Sequence, residues 1–269
     1  MPRSWAARVA LAVVGMVVLA AALAPIVSPY SPTGMDGDLL APPDRRHLLG
    51  TDDLGRDILS RVIHGASVSL MVGVVSVGAA GLLGVPLGLL AGYRGGWCDT
   101  IVMRILDGLM AFPAVLLAIA IMAVLGPSLR NAMLAIGIIY LPPFARIIRA
   151  NALSLREKEF VDAARGLGAT GARIVVQHVL PNCLSPVIVQ ASLGLGYAIL
   201  VEAALSFLGL GVQPPQASWG SMLAEGRGFL DRAPWFAAFP GLAIFLTVLA
   251  LNFLGDGLRE ELDPRLRQL

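Results

Sequence analysis

The sequence predicts an all-α integral membrane protein of about six transmembrane helices, and three observations carry that expectation. Of the 269 residues, 57% are hydrophobic and only 14% charged, with a mean hydropathy of +0.77; a soluble domain carries nearer a quarter charged residues. Six apolar stretches, 9–29, 67–92, 102–125, 129–149, 184–209 and 235–256, reach the ~20 residues a helix needs to cross about 30 Å of hydrocarbon. None alternates strictly, as a membrane β-barrel strand would. The 30 glycines and 18 prolines fit the same class, because neighbouring membrane helices re-satisfy the backbone groups such residues free.

The first stretch resembles a signal peptide. Arg3 and Arg8 precede an apolar run, and Ala22-Leu23-Ala24 looks like a cleavage site. Pro25 follows at once and obstructs a peptidase, while Ile26 and Val27 prolong the run. An uncleaved first span is expected. Residues 1–65 read as that helix plus a Pro- and Asp-rich outer loop, and residues 66–269 as a five-helix core. In the second span Gly84, Gly88 and Gly92 make two overlapping small-xxx-small steps, a spacing that lets another helix approach closely. Pro86 and Pro142-Pro143 are expected to bend spans two and four, each removing an intrahelical hydrogen bond. Between spans four and five, a charged, helix-prone loop covers about 150–182, and the last outer loop, about 210–234, carries Pro214-Pro215 and Trp219-Gly220.

Basic residues orient the chain. With the N-terminus inside, thirteen of the 20 Lys and Arg residues fall in cytoplasmic segments, among them Arg3, Arg8, Arg94, Arg146, Arg149, Arg156, Lys158, Arg165, Arg173, Arg259, Arg265 and Arg267. Six spans return the C-terminus to the cytoplasm. A net charge of +2 is too small to point to nucleic acid. Cys98 and Cys183 form no disulfide framework, and neither they nor the scattered His47, His64 and His178 have metal-ligand spacing.

The loop reads as a short amphipathic helix, Arg156 to Arg165, then a turn permitted by Gly166 and Gly168, then a second helix halted before Pro181, where the next span begins. Ala163 and Ala164 keep one face small, with Asp162 and Arg165 at its flanks. Asp162-Ala163-Ala164, three residues, Gly168, nine residues, His178, one residue and Leu180-Pro181 resemble the E-A-A-x3-G-x9-I-x-L-P loop of permease subunits of binding-protein-dependent ABC importers. Asp162 stands for Glu and His178 for Ile. Gly50-Thr51-Asp52-Asp53-Leu54-Gly55-Arg56-Asp57, Tyr93-Arg94-Gly95-Gly96-Trp97 and Glu202-Ala203-Ala204-Leu205-Ser206-Phe207 extend the likeness to the C-type subunit of the dipeptide, oligopeptide and nickel branch.

The resemblance implies a type I ABC importer permease fold and a function in ATP-driven import of di- or oligopeptides; the same machine for nickel or a solute such as glutathione is the alternative. It implies four partners beside membrane lipids: a second, B-type permease, two cytoplasmic ATPases and an extracytoplasmic binding protein. Phe160, Val161, Asp162, Ala163, Ala164, Arg165 and Gly168 are implied as the surface coupling the permease to the ATPases. No cofactor or metal is expected on this chain; ATP and magnesium belong to the ATPases, and no Gly-x4-Gly-Lys-Ser/Thr sequence occurs here. The implied location is the bacterial cytoplasmic membrane, with both termini in the cytoplasm.

Polar residues in or near spans raise other readings. Asp107 follows Arg104 and suits a local ion pair; Asp256 falls at a span's exit; Asn252 lies near it. Glu202, four residues before Ser206, faces a pore or makes an interhelical hydrogen bond, and both readings stand. A proton-coupled carrier using Asp107 and Glu202 is a rival class. An intramembrane enzyme lacks its signatures, with no His-Glu-x-x-His. Asp52, Asp53 and Arg56 suit either loop order or recognition of the binding protein.

Overall fold

The computed structural model describes residues 5–262, which places Arg3, Arg265 and Arg267 of the orientation argument outside the described residues. The regular elements among the described residues are helices: α1 (Trp5–Ala22), α2 (Ala24–Val27), α3 (Ile58–Arg94), α4 (Gly96–Met110), α5 (Ala114–Leu125), α6 (Leu129–Leu155), α7 (Glu159–Gly166), α8 (Gly171–Ile174), α9 (Leu180–Phe207), α10 (Trp219–Gly226) and α11 (Trp235–Leu262). Five of these are long and apolar enough to cross a membrane, with α8 and α9 counted as one continuous span. The third apolar stretch departs from expectation. It is broken into α4 and α5, which meet at 88°. Pro113 causes the break: it supplies no N–H and pushes Phe112 out of helical geometry.

Whether the broken pair crosses or turns back is settled by the register of its neighbours. Ser76 Oγ donates to Met133 O at 3.0 Å, Gly84 lies against Leu141 and Ala145, Gly88 against Ala145 and Ile148, and Gly92 against Arg149 and Ala152. α3 and α6 therefore run parallel, with their C-terminal ends together. A chain leaving α3 at one end and entering α6 at the other must cross in between, so α4 and α5 make one bent crossing. The total is six. Ser69 faces Glu202 while Gly73 faces Leu195 and Ile199, which sets α9 antiparallel to α3; Gly196 against Val248 and Leu251, and Gly255 against Leu193, set α11 antiparallel to α9. Ser67 Oγ donates to Ala21 O at 2.7 Å, bringing the end of α1 to the start of α3. The start of α1, the α7–α8 pair and the end of α11 thus share one end of the bundle.

The glycine spacing of α3 has its partner in α6. A Cβ at Gly84 would sit 2.8 Å from Phe144 Cβ, one at Gly92 would sit 2.7 Å from Arg149 O, and one at Gly88 would run into Ala145 O. Packed around this seam, Val72, Met122, Ile136, Phe144 and Leu205 are buried where α3, α5, α6 and α9 meet. Both α3 and α6 run through Pro86 and Pro142-Pro143 without interruption. The helix before Pro181 also fails to stop: α8 passes through a single π-turn, Val175–Val179, directly into α9. The wider turn moves the backbone away from the proline ring, which in a regular helix collides with the preceding turn.

At the other end of the bundle the 30–57 loop folds back onto the helices. Thr51 Oγ1 donates to Asp38 O at 2.5 Å and accepts from Ala41 N at 2.8 Å. Asp57 caps α3, accepting from Ser60 N at 2.8 Å, and its other oxygen lies 3.0 Å from His47 Nδ1. Ile58, Ala217, Met222 and Phe236 close a small core beneath the loop.

Candidate functional site

The α7–α8 pair is built by local rules. Glu159 and Asp162 in the first turn of α7 and Arg165 in its last suit the helix dipole, and Arg165 Nη1 donates to Asp162 Oδ1 at 3.1 Å. The helix ends in a double hydrogen bond, Gly168 N to Arg165 O at 2.9 Å and Ala169 N to Ala164 O at 3.0 Å. That closure needs a left-handed residue, and Gly168 supplies it at φ +81°. Thr170 then caps α8 by accepting from Arg173 N at 3.4 Å. The spaced glycine of the motif is therefore a helix stop that turns the chain back onto the bundle.

Burial divides the seven residues the sequence grouped together. Phe160, Asp162, Ala163, Arg165 and Gly168 are exposed and Ala164 is half-buried. Val161 is the correction: it is fully buried, packed with Leu89, Ile148, Ala152, Ile174, Val179 and Cys183. It points opposite to Ala163 into the buried cluster shared by the ends of α3, α6 and α9, so its side chain lies beneath the exposed face and forms no part of it. Phe160 leans on His178, ring centroids 6.4 Å apart, and Arg165 lies over the Tyr93 ring at 5.9 Å. Leu167, 90% exposed, belongs to the same surface and was missed. The available signal was an apolar residue just before a helix-stopping glycine.

The ionisable groups near the spans have internal partners. Asp107 meets Arg146 of α6 at 2.5 Å, not Arg104, and Asp99 makes a two-pronged pair with Arg149; α4 is pinned to the end of α6 by carboxylates one face apart. Glu202 is fully buried. Its Oε1 accepts from Ser206 Oγ at 2.7 Å and its Oε2 from Ser69 Oγ of α3 at 3.3 Å. Ser206 Oγ in turn accepts from Val212 N at 3.2 Å. Asn252 is exposed and its amide donates to Val248 O, and Asp256 is exposed.

In the opposite loop, Asp52 is buried and receives Arg56 Nε at 2.6 Å and lies 3.4 Å from Arg61 Nε. Glu225 of α10 receives Arg56 Nη2 at 2.9 Å and Arg61 Nη2 at 2.8 Å. Asp52, Asp53 and Glu225 converge closely enough to suggest a cation site, but the guanidinium groups of Arg56 and Arg61 lie among them and offset two of their three charges. The network ties the start of α3 to α10.

With this geometry in view, the known proteins are informative. Residues 84–268 match the family model for the binding-protein-dependent transport system inner membrane component. The dipeptide transport system permease protein DppC of Alkalihalophilus pseudofirmus is 49% identical over 264 residues, 96% of this chain and 86% of that protein. The glutathione transport system permease protein GsiD of Pectobacterium atrosepticum is 49% identical over 225 residues, 84% of this chain and 75% of that one. Among solved structures, the inward-facing MetNI methionine ABC transporter aligns with a TM-score of 0.63 at 19% identity, covering 77% of this chain and 98% of the matched one. That likeness concerns the fold. The helix order, the α7–α8 loop and this extent of identity place the chain in the family of binding-protein-dependent transport system inner membrane components, as a multi-pass permease subunit.

Proposed function

We propose that this permease imports di- and oligopeptides as one half of a heterodimer with a B-type permease, driven by two ATPase subunits and supplied by an extracytoplasmic binding protein. The start of α1, the α7–α8 pair and the end of α11 then face the cytoplasm of a bacterial cell, where the basic residues concentrate. Phe160, Asp162, Ala163, Ala164, Arg165, Leu167 and Gly168 form the surface on which an ATPase docks. One observation supports this reading above others: an exposed, small-faced helix whose rear is fastened through Val161 to the ends of three spans. Force applied to that face is delivered to α3, α6 and α9 together. The energy comes from ATP and magnesium held by the partners.

Peptide cargo is supported by the dipeptide and glutathione relatives alike, since both names denote short chains of amino acids joined by amides. Ala164→Arg and Gly168→Glu are expected to abolish uptake of radiolabelled dipeptide while leaving membrane insertion unchanged. Wild-type uptake by both variants would remove the coupling role. Purification of the tagged chain in mild detergent should recover a second permease, two ATPases and a binding protein.

A further inference from the structure

About half-way along the bundle, three polar features meet on one open face of the chain, where Tyr197 and Phe112 are exposed and hydrocarbon would leave the polar groups unsatisfied. The first is the break in the α4–α5 crossing. Backbone bonding stops at Ala111 N to Asp107 O and resumes at Leu117 N to Pro113 O, so among the described residues the carbonyls from Gly108 to Phe112 receive no hydrogen bond. The second and third are the phenol hydroxyls of Tyr140, near the middle of α6, and Tyr197, on α9. Their rings lie 5.4 Å apart at 48°, and among the described residues neither hydroxyl has a hydrogen-bond partner. All three border one cavity of about 290 Å³, walled by Leu109, Met110, Phe112 and Pro143 as well as the two tyrosines. That is close to the lower end of ligand-pocket volumes. Non-helical backbone persists at membrane depth only where protein buries it or water reaches it, and here the break borders an open cavity.

We propose that the α4–α5 break, Tyr140 and Tyr197 form the mid-membrane contact for the main chain of a transported peptide, an inference that rests on the peptide-import reading above. The donor and acceptor set suits an amide backbone: bare carbonyls accept peptide N–H groups, and phenol hydroxyls donate to peptide carbonyls. The site carries no formal charge, so it does not trap the charged ends of a short peptide. Met110 and the apolar walls accommodate different side chains without selecting one. Gly194 keeps the place open for Tyr140, since a Cβ there would lie 2.9 Å from the Tyr140 ring.

The test uses the complete importer in membrane vesicles, with Cys98→Ser and Cys183→Ala as background. Tyr140→Cys and Tyr197→Cys are exposed to a charged, membrane-impermeant methanethiosulfonate, with Met16→Cys on the exposed side of α1 as the lipid-facing reference. The expected labelling is about tenfold faster than at Met16→Cys, switching from one side of the membrane to the other when ATP-bound complex is trapped with vanadate. In parallel, Tyr140→Phe combined with Tyr197→Phe is expected to lower dialanine uptake about tenfold, with the yield of assembled importer as the control for folding. Labelling no faster than the reference, with dialanine uptake intact in the unaltered complex, overturns the site alone. Labelling without any dialanine uptake by the unaltered complex overturns the cargo reading and the peptide contact with it. Wild-type uptake by the double phenylalanine variant overturns the hydrogen-bonding role.

Discussion

Gly88→Ala tests the α3–α6 seam with the smallest possible change. The added methyl would meet Ala145 O first, then Ile148 Cβ at 2.9 Å and Ala145 C at 3.1 Å. Ordinary C···O contacts between packed backbones fall at about 3.3–3.6 Å, so the seam must open by roughly 1 Å at this point. No side-chain rotation relieves the contact, because the nearest obstacle is backbone. A gap of that size forfeits about a quarter to a half of the dispersion energy of each affected atom pair. Overpacking of a tight core costs about 1–3 kcal/mol, and an obstacle that is backbone places this substitution toward the upper figure. Gly78→Ala is the control: it lies on the same helix, and a Cβ there meets nothing within 4 Å. Detergent-solubilised protein is titrated with SDS and unfolding followed by circular dichroism. Gly88→Ala is expected to lose about 2–3 kcal/mol, and Gly78→Ala to stay within about 0.5 kcal/mol of wild type. Equal stability of the two variants would refute the claim that α3 and α6 meet backbone to backbone.

Other substitutions separate the remaining roles. Glu202→Gln keeps an acceptor for Ser206 and a polar partner for Ser69, so uptake and stability should both persist; Glu202→Ala leaves the hydroxyls unpaired and should cost about 1–3 kcal/mol by the same titration. Unaltered uptake in Glu202→Gln also excludes a carboxylate-dependent proton pathway. Arg61→Met removes one of two cations bridging Asp52 and Glu225 and is expected to lower stability by about 3 kcal/mol, read as loss of α10 protection in hydrogen exchange. The Asp44 carboxyl is held below its ordinary value mainly by the backbone N–H of His47. A depressed carboxylate contributes order above its unfolded pKa and loses it as pH falls through the folded one; proteolysis within residues 30–57 should accelerate on acidification through and below the carboxylate range, and less so in Asp44→Asn. Leu167→Asp should impair ATPase co-purification while leaving the permease monodisperse, because its 90% exposed side chain supports nothing within the chain.

The apolar stretches were legible because a bilayer demands length and hydrophobicity of every span, and the glycine face of α3 because its spacing repeats every helical turn. What the spacing did not contain was the partner, which α6 supplies. The break at Pro113 was present in the sequence as a single proline inside the third apolar stretch, yet hydropathy averaged over about 20 residues hides a local stop. Pro181 misled in the opposite direction. A proline forbids one hydrogen bond, but it does not dictate whether the chain responds by ending the helix or by widening it through the Val175–Val179 turn. Asp107 was assigned its neighbour in sequence, whereas Arg146 arrives from another helix. Burial was least legible. Val161 and Ala163 are two residues apart in a motif read as one surface, and only the packing of α7 puts them on opposite sides.

That division carries the mechanical consequence. The buried cluster that Val161 joins includes Leu89 near the end of α3, Ile148 and Ala152 near the end of α6, and Val179 and Cys183 at the start of α9, while Arg156 Nη1 reaches Gly92 O at 3.4 Å. α3 and α6 are already locked by their glycine seam, and α9 is joined to α8 without a break in the helix. On the proposed coupling role, a displacement of α7 enters the spans through that cluster and the continuous α8–α9 helix, with no helix break between α8 and α9 to act as a soft joint. The soft joint lies elsewhere, at the 88° break between α4 and α5, whose inner arm is pinned to α6 through Asp99 and Asp107. Both arms are held by the α3–α6–α9 block, α4 through these pairs and α5 through Ala118 and Met122 in the core it shares with α3, α6 and α9, and the cavity bordered by Tyr140 and Tyr197 lies beside the break. On the proposed coupling and peptide-contact roles, displacement conveyed by the loop is expected to change the opening beside the broken span, at the depth where the unpaired carbonyls lie.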